Sequence, residues 1–203
     1  MQLPLDPDRV KGFLHPDEGE CLYQLAYSAA ALGPALEVGS YCGKSTLYLG
    51  AGVRDGGGLL YALDHHRGSE EHQLGEEYHD ADLFDNALQL MDSLPALRHT
   101  LARADLDAWV VPIVASSAQA GRHWSIPLGM VFIDGGHSLE AAVTDYRTWS
   151  RHICAEGILA IHDIFPSPKD GGQAPFHIYQ LALASGLFEE VEMRRTLAIL
   201  RRL

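Results

Sequence analysis

The segment ALEVGSYCGKST, residues 35–46, decides the fold. It passes from an apolar run, Ala35–Val38, through the turn Gly39–Gly43 into a helical stretch that opens at Lys44. A short apolar run closed by glycine reads as a buried strand. The strand-turn-helix order that it begins is the unit of a mainly parallel α/β sheet. Glycine permits φ > 0 and close backbone approach. A helix opening at Lys44 aims unpaired N–H groups and the positive end of its dipole at the turn, which favours an anion such as a carboxylate.

Working outward, the same alternation recurs. A helix is expected over about Asp17–Leu32, stopped by Gly33 and Pro34. The helix Lys44–Val53 ends at Asp55-Gly56-Gly57-Gly58. Further strands are expected at Leu59–Leu63, Trp109–Ala115, Met130–Asp134 and Gly157–His162. Helices are expected from Ser93, from Ser138 and over about Phe176–Ser185. Phe188–Met193 and Leu197–Arg201, split by a tight turn, read as an antiparallel hairpin. Pro112 cannot donate to a ladder, which puts its strand at a sheet edge. The polar stretch His65–Asp85 reads as a lid or insertion, with His72 and His79 among its histidines.

The 203 residues suit one domain, 1–203, and a 47% hydrophobic content suits an ordinary globular core. The net charge of −12 argues against nucleic acid and anionic membrane as partners. No apolar run approaches the ~20 residues that a membrane helix needs. The N-terminal residues lack the basic head and apolar core of a signal peptide. Three cysteines (Cys21, Cys42, Cys154) without CxxC spacing argue against disulfides and zinc, so a cytoplasmic location is expected. Cys42 is read as a small packing residue, and a homodimer is the default assembly.

In open α/β sheets, ligands bind beyond the carboxyl ends of the strands. Here those ends carry the glycine turn, Asp64, Ser116-Ser117, Asp134-Gly135-Gly136-His137 and His162-Asp163. Asp64 suits a ribose diol. Three ligand classes compete for the turn. Gly43-Lys44-Ser45-Thr46 resembles the end of a phosphate-binding P-loop, which would make the chain a nucleotide hydrolase. That loop needs four residues between its glycines, and Gly39 to Gly43 leaves three. A dinucleotide site needs GxGxxG, but Tyr41 stands where the second glycine belongs. S-adenosylmethionine carries a ribose and a carboxylate but no phosphate, and it fits best.

With these residues in view, the chain resembles the class I S-adenosylmethionine-dependent methyltransferases. The likeness is to a small bacterial group with EVGSYCGKST early and FIDGGHS…D…W…GILAIHD later, and it spans about residues 15–201. It implies a Rossmann-like seven-stranded sheet of order 3-2-1-4-5-7-6, the last strand antiparallel, with helices on both faces. It also implies that Glu37, Gly39, Ser40, Gly43 and Ser45 surround the methionine end of the cofactor. Asp64 would hold the ribose with His65 beside it, and Ser116, Ser117 and Ala118 would lie near the adenine. The family's E/DxGxGxG turn is thinned here to Glu37-x-Gly39-x-x-x-Gly43.

Asp134, His137, His162 and Asp163 are expected to converge beside the methyl donor, Asp134 bordering the cofactor itself. Carboxylates suit Mg²⁺, and added imidazole shifts the preference towards Mn²⁺ and softer metals. Asp134, His162 and Asp163 are therefore candidate metal ligands, as the resemblance also implies, and His137 and His162 are candidate bases. A hydroxyl acceptor needs its proton removed or its pKa lowered. The expected reaction is metal-assisted O-methylation of a small molecule, with a metal-free enzyme of the same fold as the alternative. The loop Pro166–Pro175 is expected to form the other wall of the substrate pocket.

Overall fold

After a short 3-10 turn at Pro7–Arg9, the first α-helix has its opening turn capped from both sides. His15 accepts from the backbone of α1 (Pro16–Ala29), and Glu18 reaches back to the His15 N–H. Pro16 takes the first helical position, where no N–H is needed. A computed structural model describes residues 2–68 and 80–203. The elements that follow are β1 (Ala35–Val38), α2 (Lys44–Gly56), β2 (Leu60–Asp64), β3 (Phe84–Asp85), β4 (Leu90–Met91), α3 (Leu94–Arg103) and β5 (Val110–Val114). Next come α4 (Ser117–Ala120), β6 (Leu128–Ile133), α5 (Leu139–Trp149), β7 (Ile153–Ile161), α6 (Ala174–Ala184), β8 (Phe188–Arg194) and β9 (Leu197–Arg202).

Seven strands form one sheet of order β5-β2-β1-β6-β7-β9-β8. Leaving out the small β3–β4 pair, this is the expected 3-2-1-4-5-7-6. The first five strands pair in parallel, and β9 runs antiparallel to both of its neighbours. Pro112 lies on the edge strand β5, as expected.

Side chains alternate between two cores, as the period-two geometry of a strand requires. Ala35, Met130 and Phe132 face one core, where Leu22, Leu47 and Leu101 come from α1, α2 and α3. Leu36, Val131 and Ile133 face the other, where Trp149 and Ile178 come from α5 and α6. Helices cover both faces, which explains why the central strands read as continuous apolar runs. Trp109, Trp124 and Trp149 all join these cores. Among the described residues, no helix is long and apolar enough to cross a membrane.

Three local expectations are corrected. The stretch His65–Asp85 is not wholly a loop where it is described: a turn at Ala81–Leu83 leads into β3, which pairs with β4. Leu83 and Met91 bury themselves against Cys42, so this segment docks on the glycine turn. His72 and His79 lie outside the described residues. β7 starts earlier than Gly157, at Ile153, because a bulge opposite Leu128–Met130 takes up the irregularity at its start. The helix α4 was not expected, although Ser116 and Gln119 form its capping box.

Candidate active site

The carboxyl ends of β1, β2, β5, β6 and β7 open into one cavity of about 800 Å³. That volume suits a nucleoside-sized ligand together with a small acceptor. Gly39, Ser40, Ser45, Asp64, His65, Ser116, Ser117, Asp134, His137 and Asp163 all line it. Glu37, Gly43 and His162 do not, and each has a different employment.

Glu37 is fully buried and turned under α2, where it accepts from Ser45 Oγ and Thr46 Oγ1, both at 2.6 Å. Burial lifts its carboxyl to about 8, although the two hydroxyls pull it down. It braces the helix start from below and does not reach the cavity. Ser45 is committed to Glu37 in the same way, which weakens the P-loop reading, where this hydroxyl is needed on a metal. Gly43 caps α2 with a left-handed backbone, φ 95°. Gly39, at φ 91°, is squeezed against β6: a Cβ there would lie 2.0 Å from the Asp134 carbonyl oxygen. Its glycine is required by the neighbouring strand end. Beside it, Ser40 lines the cavity, and its buried hydroxyl has no hydrogen-bond partner among the described residues. Burial pushes the Cys42 thiol up to about 12, so it is an inert packing residue.

Asp64 ends β2 with both oxygens held by the backbone. The Tyr41 N–H donates at 2.9 Å and the His66 N–H at 2.7 Å. Both donors sit in left-handed conformations, φ 45° and 58°. A carboxylate offers about four lone-pair sites, so it can still accept from a ligand diol. The His66 ring is buried and contacts Ser93 Oγ at 2.8 Å, and Arg67 donates to the Met91 carbonyl at 3.2 Å. These two residues fasten the segment after β2, while His65 alone of the three lines the cavity.

At the other end, His162 is buried behind Asp134. Its Nδ1 lies 3.2 Å from Asp134 Oδ1 and 3.3 Å from Asp163 Oδ1, and its Nε2 lies 3.2 Å from Glu18 Oε2. Burial disfavours a charge on this ring, but the three carboxylates outweigh it and raise its pKa strongly. His137 Nε2 lies 3.3 Å from Asp163 Oδ2. Burial would raise the Asp163 pKa, yet His137 and His162 hold it well below the usual range. Ligand atoms of Asp134, His162 and Asp163 lie within 4.8 Å of one another. The donor set fits a divalent cation, since hard carboxylate oxygens converge with one imidazole nitrogen.

Sequence reasoning missed three contributions. Lys11–Leu14 line the cavity, whereas nothing between Pro166 and Pro175 does. Gly12 lies against the Lys44 stem. Asp145 of α5 reaches the cavity beside Ser117, and burial lifts its carboxyl to about 6. Glu18 is buried at the back of the site, its pKa drawn down to about 2 by His162 and Thr196 against the effect of burial. Its only sequence signal was the helix cap at His15.

A family model described as a methyltransferase domain matches residues 36–164, more than half of the chain. The chain belongs to this methyltransferase family. Solved structures share the fold of the methyltransferase. One is an O-methyltransferase from Bacillus cereus in complex with SAH: TM-score 0.64 and 18% identity, over 94% of this chain and 82% of that one. Another is the O-methyltransferase NovP: TM-score 0.70 and 15% identity, over 92% and 79%. A third is the O-methyltransferase TomG from Streptomyces achromogenes, involved in tomaymycin synthesis and in complex with SAM: TM-score 0.63 and 15% identity, over 94% and 81%.

Proposed function

We propose that the methyltransferase transfers a methyl group from S-adenosylmethionine to a hydroxyl of a small molecule. The observation that carries this reading is the pairing of two acidic ends in one cavity. Asp64, held by the Tyr41 N–H, stands at one end and suits a ribose, and Asp134, His137 and Asp163 stand at the other. Ser40 and the start of α2 suit the carboxylate of the methionine tail. Neighbours of the same fold that bind SAM or SAH support the cofactor.

Methyl transfer is an in-line displacement, so most of the protein's work is positioning. The acceptor oxygen must also lose its proton. His137 is the imidazole of the cavity wall beside Asp134 and Asp163, and Asp163 orients its ring. His162 lacks access to the acceptor and supports the two aspartates instead. Asp134 and Asp163 are the residues that would hold a divalent cation, and His162 Nδ1 would join them on giving up its proton. Such a cation lowers the pKa of a bound hydroxyl and so helps it to ionise. The net charge of −12 and a concave, partly apolar cavity favour a small acceptor over nucleic acid.

Titration calorimetry with S-adenosylhomocysteine, with and without Mn²⁺, tests this reading. Binding of the nucleoside in the micromolar range is expected, with turnover stimulated by Mn²⁺ or Mg²⁺. Thermal stabilisation by ATP–Mg²⁺ and not by S-adenosylhomocysteine would overturn it. Turnover that survives exhaustive chelation would leave the cofactor and remove the metal.

A further inference from the structure

Glu18 connects three distant parts of the chain at the back of the active site. Oε1 accepts from the backbone and hydroxyl of Thr196, in the turn between β8 and β9, at 2.9 and 2.8 Å. Oε2 accepts from the His15 N–H at 3.3 Å and faces His162 Nε2 at 3.2 Å. Glu18 is 3% exposed and His162 is 6% exposed, so water does not compete for this contact.

The chemistry of that contact is directional. An ionised carboxylate only accepts hydrogen bonds, so the nitrogen facing it must carry a proton. Nε2 is that nitrogen. The ring is thereby fixed in one orientation, and by the same rule Nδ1, which faces Asp134 Oδ1 and Asp163 Oδ1, also carries a proton. Carboxylates that orient an imidazole in this way are the usual support for metal-ligating and catalytic histidines. A pure helix cap would need only the His15 contact, yet Glu18 spends one oxygen on Thr196 and half of the other on His162.

We propose that Glu18 is a positioning residue: it anchors the Nε2–H of His162, so that the Nδ1–H on the other side of the ring is aimed at the carboxylates of Asp134 and Asp163 at the cavity. The kinetic part of this inference rests on the methyltransferase reading above, whereas the orientation of the ring does not.

The test combines ¹⁵N NMR of histidine-labelled protein with kinetics and Mn²⁺ titration, on wild type, Glu18→Gln, Glu18→Ala and Thr196→Val. In the wild type, His162 Nε2 is expected to be protonated. In Glu18→Ala this fixed state is lost, kcat falls ~10–100-fold, and Mn²⁺ affinity falls by a similar factor, while KM for S-adenosylmethionine moves less than about threefold. Glu18→Gln keeps an acceptor and recovers part of the loss. Thr196→Val removes a Glu18 partner without touching His162, and it should lower stability but leave the His162 signals and kcat unchanged. An unprotonated Nε2 in the wild type overturns the proposal, and this reading needs no variant to fold. Glu18→Ala with wild-type kcat and His162 signals also overturns it, as does a Thr196→Val variant with the same kinetic loss. A wild type that binds no S-adenosylhomocysteine defeats the methyltransferase reading, and the NMR result still decides the role of Glu18.

Discussion

The two acidic ends of the cavity are built in different ways. Asp64 is held by backbone N–H groups within two strand-end turns, Tyr41 and His66. Asp134 and Asp163 are held by side chains, through His162 and His137, and behind them by Glu18. The first end needs only the backbone of two neighbouring strand-end turns. The second needs residues that fold together from positions 18, 134, 163 and 196. A backbone-held carboxylate is rigid and tolerant of its neighbours, whereas a carboxylate held by side chains depends on every member of the network.

Gly39 is where the two ends meet, so its substitution should break both. Gly39→Ala forces a left-handed residue to place its Cβ 2.0 Å from the Asp134 carbonyl oxygen. A loss of about 2–4 kcal/mol in urea unfolding is expected, together with loss of cofactor binding. Unchanged stability would mean that β1 and β6 are not so closely apposed.

A pair of substitutions separates the ends. Asp64→Asn should weaken S-adenosylhomocysteine by about 2 kcal/mol, or roughly 30-fold, measured by calorimetry. Asp134→Asn should leave that affinity within about threefold and reduce kcat at least tenfold. Equal effects on binding would erase the distinction between the two ends.

Glu37 lies beneath both, and the charges of Asp134 and Asp64 each add to the burial that lifts its carboxyl to about 8. The unfolded chain releases this proton near 4.5 and the folded one near 8. Between those values the folded state binds more protons, so stability should fall as pH rises from about 5 to 8. Glu37→Gln should flatten that part of the melting-temperature profile. The smallest effect is expected at the rim. Lys11 pairs with Asp80 and Asp82 at 2.6 and 2.8 Å, tying the N-terminal segment to the one before β3. Lys11→Met should cost under about 1 kcal/mol in thermal melts, and less in high salt.

The same contrast explains what could be read in the sequence. Strand period, glycine turns and strand-ending acids are local signals, so β1, Asp64 and Asp134 were legible, and so was the edge position of Pro112. Glu18 carried no such signal, because what it touches is set by how α1 lies across the ends of β7 and β9. Asp145 looked like one polar residue among others on α5. The Lys11–Leu14 wall was hidden for a similar reason: nothing in four residues near the start of the chain says which crevice they will cover.

Pro112 has a further consequence. The Ala115 N–H points inward to the Asp64 carbonyl, so by strand alternation the nitrogen of Pro112 points outward. The middle of the open sheet margin therefore has no proton to offer an approaching strand, although Val111 and Val114 expose apolar surface there. One ring blunts the side on which two copies of the sheet would otherwise zip together, and it guards the protein against edge-to-edge aggregation.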